Sequence, residues 1–212
     1  RDVAVTGVQT CALPILGLSR LALLGQSFGA LLCVEYLLRR GQAGVERLVL
    51  SGPCLNADRF AADQRVHLAA MPQSVRDAAA AAEATGDFDN PAYQTAVAAF
   101  YAKHVCRLDP WPACLARAIE GMGLPCYLRM WGPSEFTLTG SLAGYDATGE
   151  LGKIAVPTLF TCGRFDEATP ETTADFAARI PGARLVVIED ASHCHHLEQP
   201  AGYLETARRF LG

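Results

Sequence analysis

Leu21-Ala22-Leu23-Leu24-Gly25-Gln26-Ser27-Phe28-Gly29 runs from an apolar stretch straight into a Gly-x-Ser-x-Gly pentapeptide. Four apolar residues bounded by Gly25 predict a buried strand of a parallel sheet. From Gly29 to Arg40 the spacing is helical, with Leu31, Leu32, Val34, Tyr36, Leu37 and Leu38 turned inward and Arg39, Arg40 and Gly41 closing the helix. A serine on the sharp turn between strand and helix is the setting of a nucleophile elbow. The flanking glycines let strand and helix crowd against the turn. The hydroxyl then stands at a helix N-terminus, whose dipole favours developing negative charge. Ser27 is the candidate nucleophile, and the backbone N–H of Phe28 a candidate oxyanion donor.

Outward from this turn, residues 47–51 (RLVLS) predict the next buried strand, completing a βαβ unit and therefore a parallel sheet. Residues 56–153 change character: Ala-rich, helical, and broken at Pro72, Gly86, Pro91, Pro110 and Pro125. Asn90-Pro91 is a helix start, with Tyr93, Val97, Phe100, Tyr101 and His104 on one face. The sheet pattern returns in residues 157–162 (PTLFTC) and 184–189 (RLVVIE), with a helix opened by Thr169-Pro170-Glu171 between them. Residues 200–211 close the chain as a helix with Tyr203, Leu204, Ala207 and Phe210 inward. The organisation expected is an α/β core, residues 16–55 and 154–212, interrupted by a helical cap, residues 56–153.

A serine hydroxyl needs a neighbouring base, itself oriented by an acid. With a nucleophile elbow the order along the chain is Ser, then Asp or Glu, then His. Asp166 directly follows the strand PTLFTC, and His193 directly follows RLVVIEDA, so these are the candidate acid and base. Asp190 is a rival acid three residues before His193, at the end of the wrong strand. His193-Cys194-His195-His196 lacks the carboxylate or histidine partner at helical spacing that a metal motif needs, so no metal is expected.

GQSFG, MWGPSEFTLTGSL, IAVPTLFTCGRFDEATP and ASHCHHLEQP together resemble the proline iminopeptidases, a group of α/β hydrolases. The resemblance covers the chain from Leu16 to Gly212 and implies the α/β-hydrolase fold with an α-helical cap. It implies Ser27 as nucleophile, Asp166 as acid and His193 as base, acting without metal or organic cofactor. It also implies that Glu135 of GPSEF and Glu167 of FDEATP hold the free α-amino group of a small peptide or amino-acid amide. Buried carboxylates do this by charge-assisted hydrogen bonds, which also exclude substrates extended on the amino side. Trp131 and Phe136 are candidate walls for a proline ring. An amino-acid amidase or esterase using the same groups is the alternative activity, and an inactive fragment the alternative of another class.

Residues 5–15 (VTGVQTCALPI) back-translate to a widely used sequencing-adapter oligonucleotide, so residues 1–15 are expected to be non-native. No HGGPG-like segment, which in this group supplies the second oxyanion donor, precedes the elbow. By the fold, the first strands and that loop are expected to be missing, on the order of 80 residues. The rest of the composition is ordinary: 212 residues, 50 % hydrophobic, 19 % charged and 8 % aromatic. A net charge of −4 offers no basic footprint for nucleic acid. No apolar stretch reaches the 18 or so residues that span a bilayer. Eight cysteines are too dilute for a disulfide scaffold, and the odd seven left without Cys11 point to free thiols in a reducing cytoplasm.

Overall fold

A computed structural model describes residues 19–212; the adapter-like segment lies outside the described residues. Four strands, β1 (Leu21–Gln26), β2 (Val45–Ser51), β3 (Thr158–Gly163) and β4 (Arg184–Ile188), form one sheet in the order β1-β2-β3-β4. All three pairings are parallel, with Gly25 opposite Leu50, Leu50 opposite Phe160, and Phe160 opposite Leu185. β3 is buried along its whole length, Thr158 and Thr161 included, as a central strand of a parallel sheet covered on both faces requires. β1 alternates instead: Leu24 is 52 % exposed. No described strand pairs on its far side, and no described helix covers that face.

Helix α1 (Phe28–Arg40) buries Ala30, Leu31, Val34 and Leu37, a stripe of period three to four. Leu32 falls outside that stripe and is exposed, contrary to the expectation. Gly41, at φ 94°, ends the helix, its N–H donating to Leu37. Ala30, Val34 and Leu37 share one core with Leu48, Leu50 and Phe160 of the sheet and with Phe176 and Ile180 of α7 (Pro170–Arg179) and its end. Thr169 caps α7 by accepting from the Thr172 N–H. The final helix, α9 (Pro200–Leu211), buries Tyr203 and Ala207 and leaves Leu204 outward, because residues four apart share a face and residue 204 lies off it.

Between β2 and β3 come five helices: α2 (Ala57–Ala69), α3 (Gln73–Thr85), α4 (Pro91–His104), α5 (Ala113–Glu120) and α6 (Leu124–Met130). They hold a core of their own, in which Ala79 and Ala82 of the Ala-rich run pack with Tyr93, Phe100 and Phe136. Asn90 caps α4 as its sequence predicts, accepting from the Ala92 N–H. A third, smaller cluster of Cys54, Phe60, Trp131 and Ala168 joins these helices to the loops at the C-terminal ends of the strands. That end of an open α/β sheet is where its ligands bind.

Candidate active site

Ser27 occupies the single residue between β1 and α1, at φ 54° and ψ −122°. This left-handed conformation costs a non-glycine residue about 1–3 kcal/mol and persists only where the surroundings fix it. Two contacts do so: the Ser27 N–H donates to Ser51 O at 2.9 Å, and Ser27 O accepts from Ala30 N at 2.9 Å. A Cβ on Gly25 would lie 2.2 Å from Gly29 O, so Gly25 is the glycine that permits the crossing. Gly29 contributes only its backbone, since a Cβ there meets nothing within 4 Å. The Phe28 N–H begins α1 and is among the helix amides with no intrahelical acceptor.

Asp166 lies in the loop after β3 and is wholly buried. Its Oδ1 accepts from His193 Nδ1 and from the Ala168 N–H, each at 2.8 Å, and its Oδ2 from the Gly163 N–H at 3.1 Å. Burial alone would raise this carboxyl. The charge of His193 and these hydrogen bonds outweigh burial and hold it well below the usual carboxylate range. The rival Asp190 is exposed on a left-handed turn at φ 55°, outside this network.

His193 follows β4. Its backbone N–H donates to His104 O at 3.1 Å, and its ring lies close against Gly52, where a Cβ would approach ring atoms to 2.8 Å. Burial opposes the charged imidazolium, but Asp166, Glu167 and Glu135 together push His193 up to about 10. Its Nε2 is 3.7 Å from Glu167 Oε1 and makes no hydrogen bond with Ser27. Consecutive residues at the end of β2 thus meet the two loops, Ser51 accepting the Ser27 N–H and Gly52 lying against the His193 ring.

A cavity of about 450 Å³ opens from Ser27 and is lined by Leu31, Cys54, Phe60, Tyr127, Trp131 and Glu135, among others. Trp131 packs edge-on against Phe60, centroids 5.2 Å apart. Phe136 is not a wall of it: it is buried in the helical core between Tyr93 and Phe100. Glu135 accepts from Tyr127 Oη at 2.9 Å, and its N–H donates to Tyr101 Oη at 3.2 Å. Glu167 is 2 % exposed, and its Oε2 is buried with no hydrogen-bond partner. Burial and the facing Glu135 charge raise Glu167 well above the ordinary range; burial also raises Glu135, which Tyr127 partly offsets. Among the described residues no Lys or Arg pairs with Glu135, Glu167 or Asp166. The basic groups that face these buried acids are therefore histidines, His193 for Asp166 and Glu167 and His195 for Asp166.

The sequence missed Tyr101 and Tyr127 as partners of Glu135, Cys54 and Phe60 as walls, Gly52 as the seat of His193, and His195 as a contact of Asp166. Aromatic residues at helical spacing carry the same signal whether they face a core or a cavity. The three clustered histidines separate: His193 meets Asp166, His195 turns to Ser51 and Thr161, and His196 Nδ1 is buried without a partner. No group of three His, Cys, Asp or Glu among the described residues is arranged to hold a metal. The seven described cysteines are free thiols, and no described helix is long and apolar enough to cross a membrane.

Residues 2–206 match the family model described as the alpha/beta hydrolase family. A proline iminopeptidase of Heyndrickxia coagulans is 36 % identical over 197 residues, 92 % of this chain and 68 % of the relative. The crystal structure of VinJ superposes with a TM-score of 0.90 at 33 % identity, covering 96 % of this chain and 69 % of VinJ. That of a proline iminopeptidase from Mycobacterium smegmatis gives 0.87 at 32 %, covering 96 % and 68 %. The chain thus spans about two thirds of the length of the proteins it matches.

Proposed function

This chain belongs to the proline iminopeptidase group of the alpha/beta hydrolase family, and on that premise we propose that it releases an N-terminal residue, proline by preference, from small peptides through an acyl-enzyme on Ser27. One observation carries the reading. An apolar cavity has Ser27 and the buried Glu135 in its wall, and Glu167, buried and facing Glu135, has like it no Lys or Arg partner among the described residues.

The substrate's α-ammonium sits between Glu135 and Glu167 and takes the free Oε2 of Glu167, which leaves room for one residue before Ser27. The proline ring packs against Trp131 and Phe60. Ser27 Oγ attacks the carbonyl carbon while His193 Nε2 takes its proton, and Asp166 holds the Nδ1–H and stabilises the imidazolium. The Phe28 N–H donates to the oxyanion. The C–N bond breaks, the leaving amine takes the proton from His193, and water repeats the sequence to free the amino acid and restore Ser27.

Electrostatics tie recognition to chemistry in this scheme. His193 must be unprotonated to act, yet the carboxylates of Asp166, Glu167 and Glu135 hold its proton to about 10. A bound ammonium cancels that field and lowers His193 toward the working range. A peptide with a blocked amino group does neither, and leaves two carboxylates unpaired.

Residues 56–153 act as the cap that supplies Glu135 and Trp131, on a core of residues 16–55 and 154–212. The free thiols support a reducing, cytoplasmic setting.

The test uses a proline-coupled chromogenic amide and its N-acetylated form. The free-amine substrate should turn over, the acetylated one should not, and Ser27→Ala should abolish turnover. Glu135→Gln should cost about 10- to 100-fold in kcat/KM, the worth of a charged hydrogen bond. Equal turnover of both substrates, or discrimination unchanged in Glu135→Gln, overturns the reading.

A further inference from the structure

His195 is fully buried, and its imidazole touches the two loops that carry Asp166 and His193 together with the end of β2, on which the Ser27 N–H rests. Its Nδ1 lies 3.3 Å from Ser192 O, the carbonyl preceding His193, and 3.6 Å from Asp166 Oδ2. Its Nε2 lies 2.8 Å from Ser51 Oγ and 3.0 Å from Thr161 Oγ1. Ser51 in turn accepts the Ser27 N–H through its backbone oxygen.

The donor and acceptor inventory fixes the tautomer. A carbonyl and a carboxylate oxygen only accept, so Nδ1 carries a hydrogen. Thr161 Oγ1 donates to Ser51 Oγ at 3.0 Å, which frees the Ser51 Oγ–H to donate to Nε2. Every polar atom of the ring is thereby used in a dry site, where an orphan would be costly.

We propose that His195 is a positioning residue: it holds Asp166 and the Ser192–His193 peptide in register with Ser51 at the end of β2, the residue that accepts the Ser27 N–H, and shares the Asp166 charge with His193. Asp166 thus lies between two imidazoles, His193 on Oδ1 and His195 near Oδ2. The other titratable groups facing this assembly are Glu167 and Glu135 beside His193, His67, His104, Cys162 and Cys194 around Asp166, Glu198 on Ser192, and His196 and Tyr203 beside His195, with ring centroids 6.2 and 5.5 Å away. Removing the His195 N–H concentrates the Asp166 charge on His193. The base then keeps its proton to higher pH and its ring loses one of its restraints.

The proposal rests on Ser27, Asp166 and His193 being the reacting set, and not on which amide the cavity takes. Phosphonylation by a small fluorophosphonate reads that set alone, so it separates this role from the substrate assignment. His195→Phe keeps the ring against Tyr203 and removes both nitrogens. We expect phosphonylation and kcat on the proline amide to fall about 10- to 100-fold, the scale of a misplaced catalytic group, with KM unchanged. The acid limb of the rate should move to higher pH, and His195→Gln, which keeps a donor, should recover part of the loss. Ser51→Ala gives a second reading should His195→Phe not fold. It leaves the imidazole in place but frees its tautomer, and should reproduce the pH shift in a smaller degree. Wild-type kcat and an unmoved acid limb in either folded variant overturn the proposal, as does a wild-type chain that Ser27 phosphonylation never labels.

Discussion

Glu167 shows the cost of recognition at the scale of one residue. A carboxylate so deeply buried, with one oxygen unpaired and Glu135 opposite, binds a proton more tightly in the fold than in the unfolded chain. For a carboxyl raised by folding, stability declines as pH rises through the ordinary range, so at neutral pH Glu167 opposes folding. Glu167→Gln should therefore stabilise the chain at pH 7 by on the order of 1 kcal/mol, about 2–4 °C in Tm. It should also remove one of the charges that raise His193, moving the acid limb of kcat/KM to lower pH by about 1–3 units. Activity should fall while stability rises. Thermal unfolding and a pH–rate profile of the variant check both halves, and a drop in Tm or an unmoved limb would refute the assignment. His193 and Asp166 were legible from chain order alone, because each directly follows a strand. Tyr127, four residues before Trp131, was not, since no pattern in one chain says that its hydroxyl ends on Glu135.

At the scale of elements, the elbow separates two glycines that one motif treats alike. A side chain on Gly25 would strike the Gly29 backbone, which cannot move without displacing the start of α1. Gly25→Ala should cost about 3 kcal/mol or more and turn Ser27 away from the cavity. Gly29 lies inside a helix with open space around it, so Gly29→Ala should be neutral or gain up to about 1 kcal/mol. Paired denaturant melts decide this, and equal losses would mean that α1 does not pack on the elbow as described. The same logic explains which elements the sequence revealed. β3 and α7 have unambiguous signals: a short run of apolar and β-branched residues after a Pro, then a capping Thr before Pro at the first helical position. Leu24, Leu32 and Leu204 are equally apolar, and composition assigned them inward. Their exposure depends on which faces the described elements cover, which is a property of the assembled sheet and not of any local window.

At the scale of the molecule, the helices between β2 and β3 grip the very loops that carry Asp166 and His193. His67 Nε2 of α2 meets Asp166 O at 3.2 Å, Gln64 Nε2 donates to Glu167 O at 2.9 Å, and His104 Nδ1 at the end of α4 meets Phe165 O at 3.0 Å. His104 O and Val105 O accept from the backbone of His193 and Cys194. His67 and His104 stack with centroids 4.0 Å apart, so protonating both sets two cations against one another in a buried seam. Burial lowers both, His104 to about 4 with His67 adding to the effect, and burial likewise takes His196 to about 4. A histidine lowered by folding binds its proton more readily when unfolded, so the stability it permits is lost as pH falls from about 6.5 toward 4. His193 has the opposite sign: raised to about 10, it contributes stability below its unfolded pKa that is lost as pH climbs through 10. Stability should consequently pass through a maximum near neutrality and fall on both sides, with different residues responsible for each limb. His104→Gln keeps a donor for Phe165 O and removes one titrating ring. It should flatten the acid limb and leave the alkaline limb intact, whereas His193→Gln should flatten only the alkaline one. Denaturant melts between pH 4 and 10 for the two variants test this assignment. An acid limb unchanged in His104→Gln would show that the histidine seam does not set it.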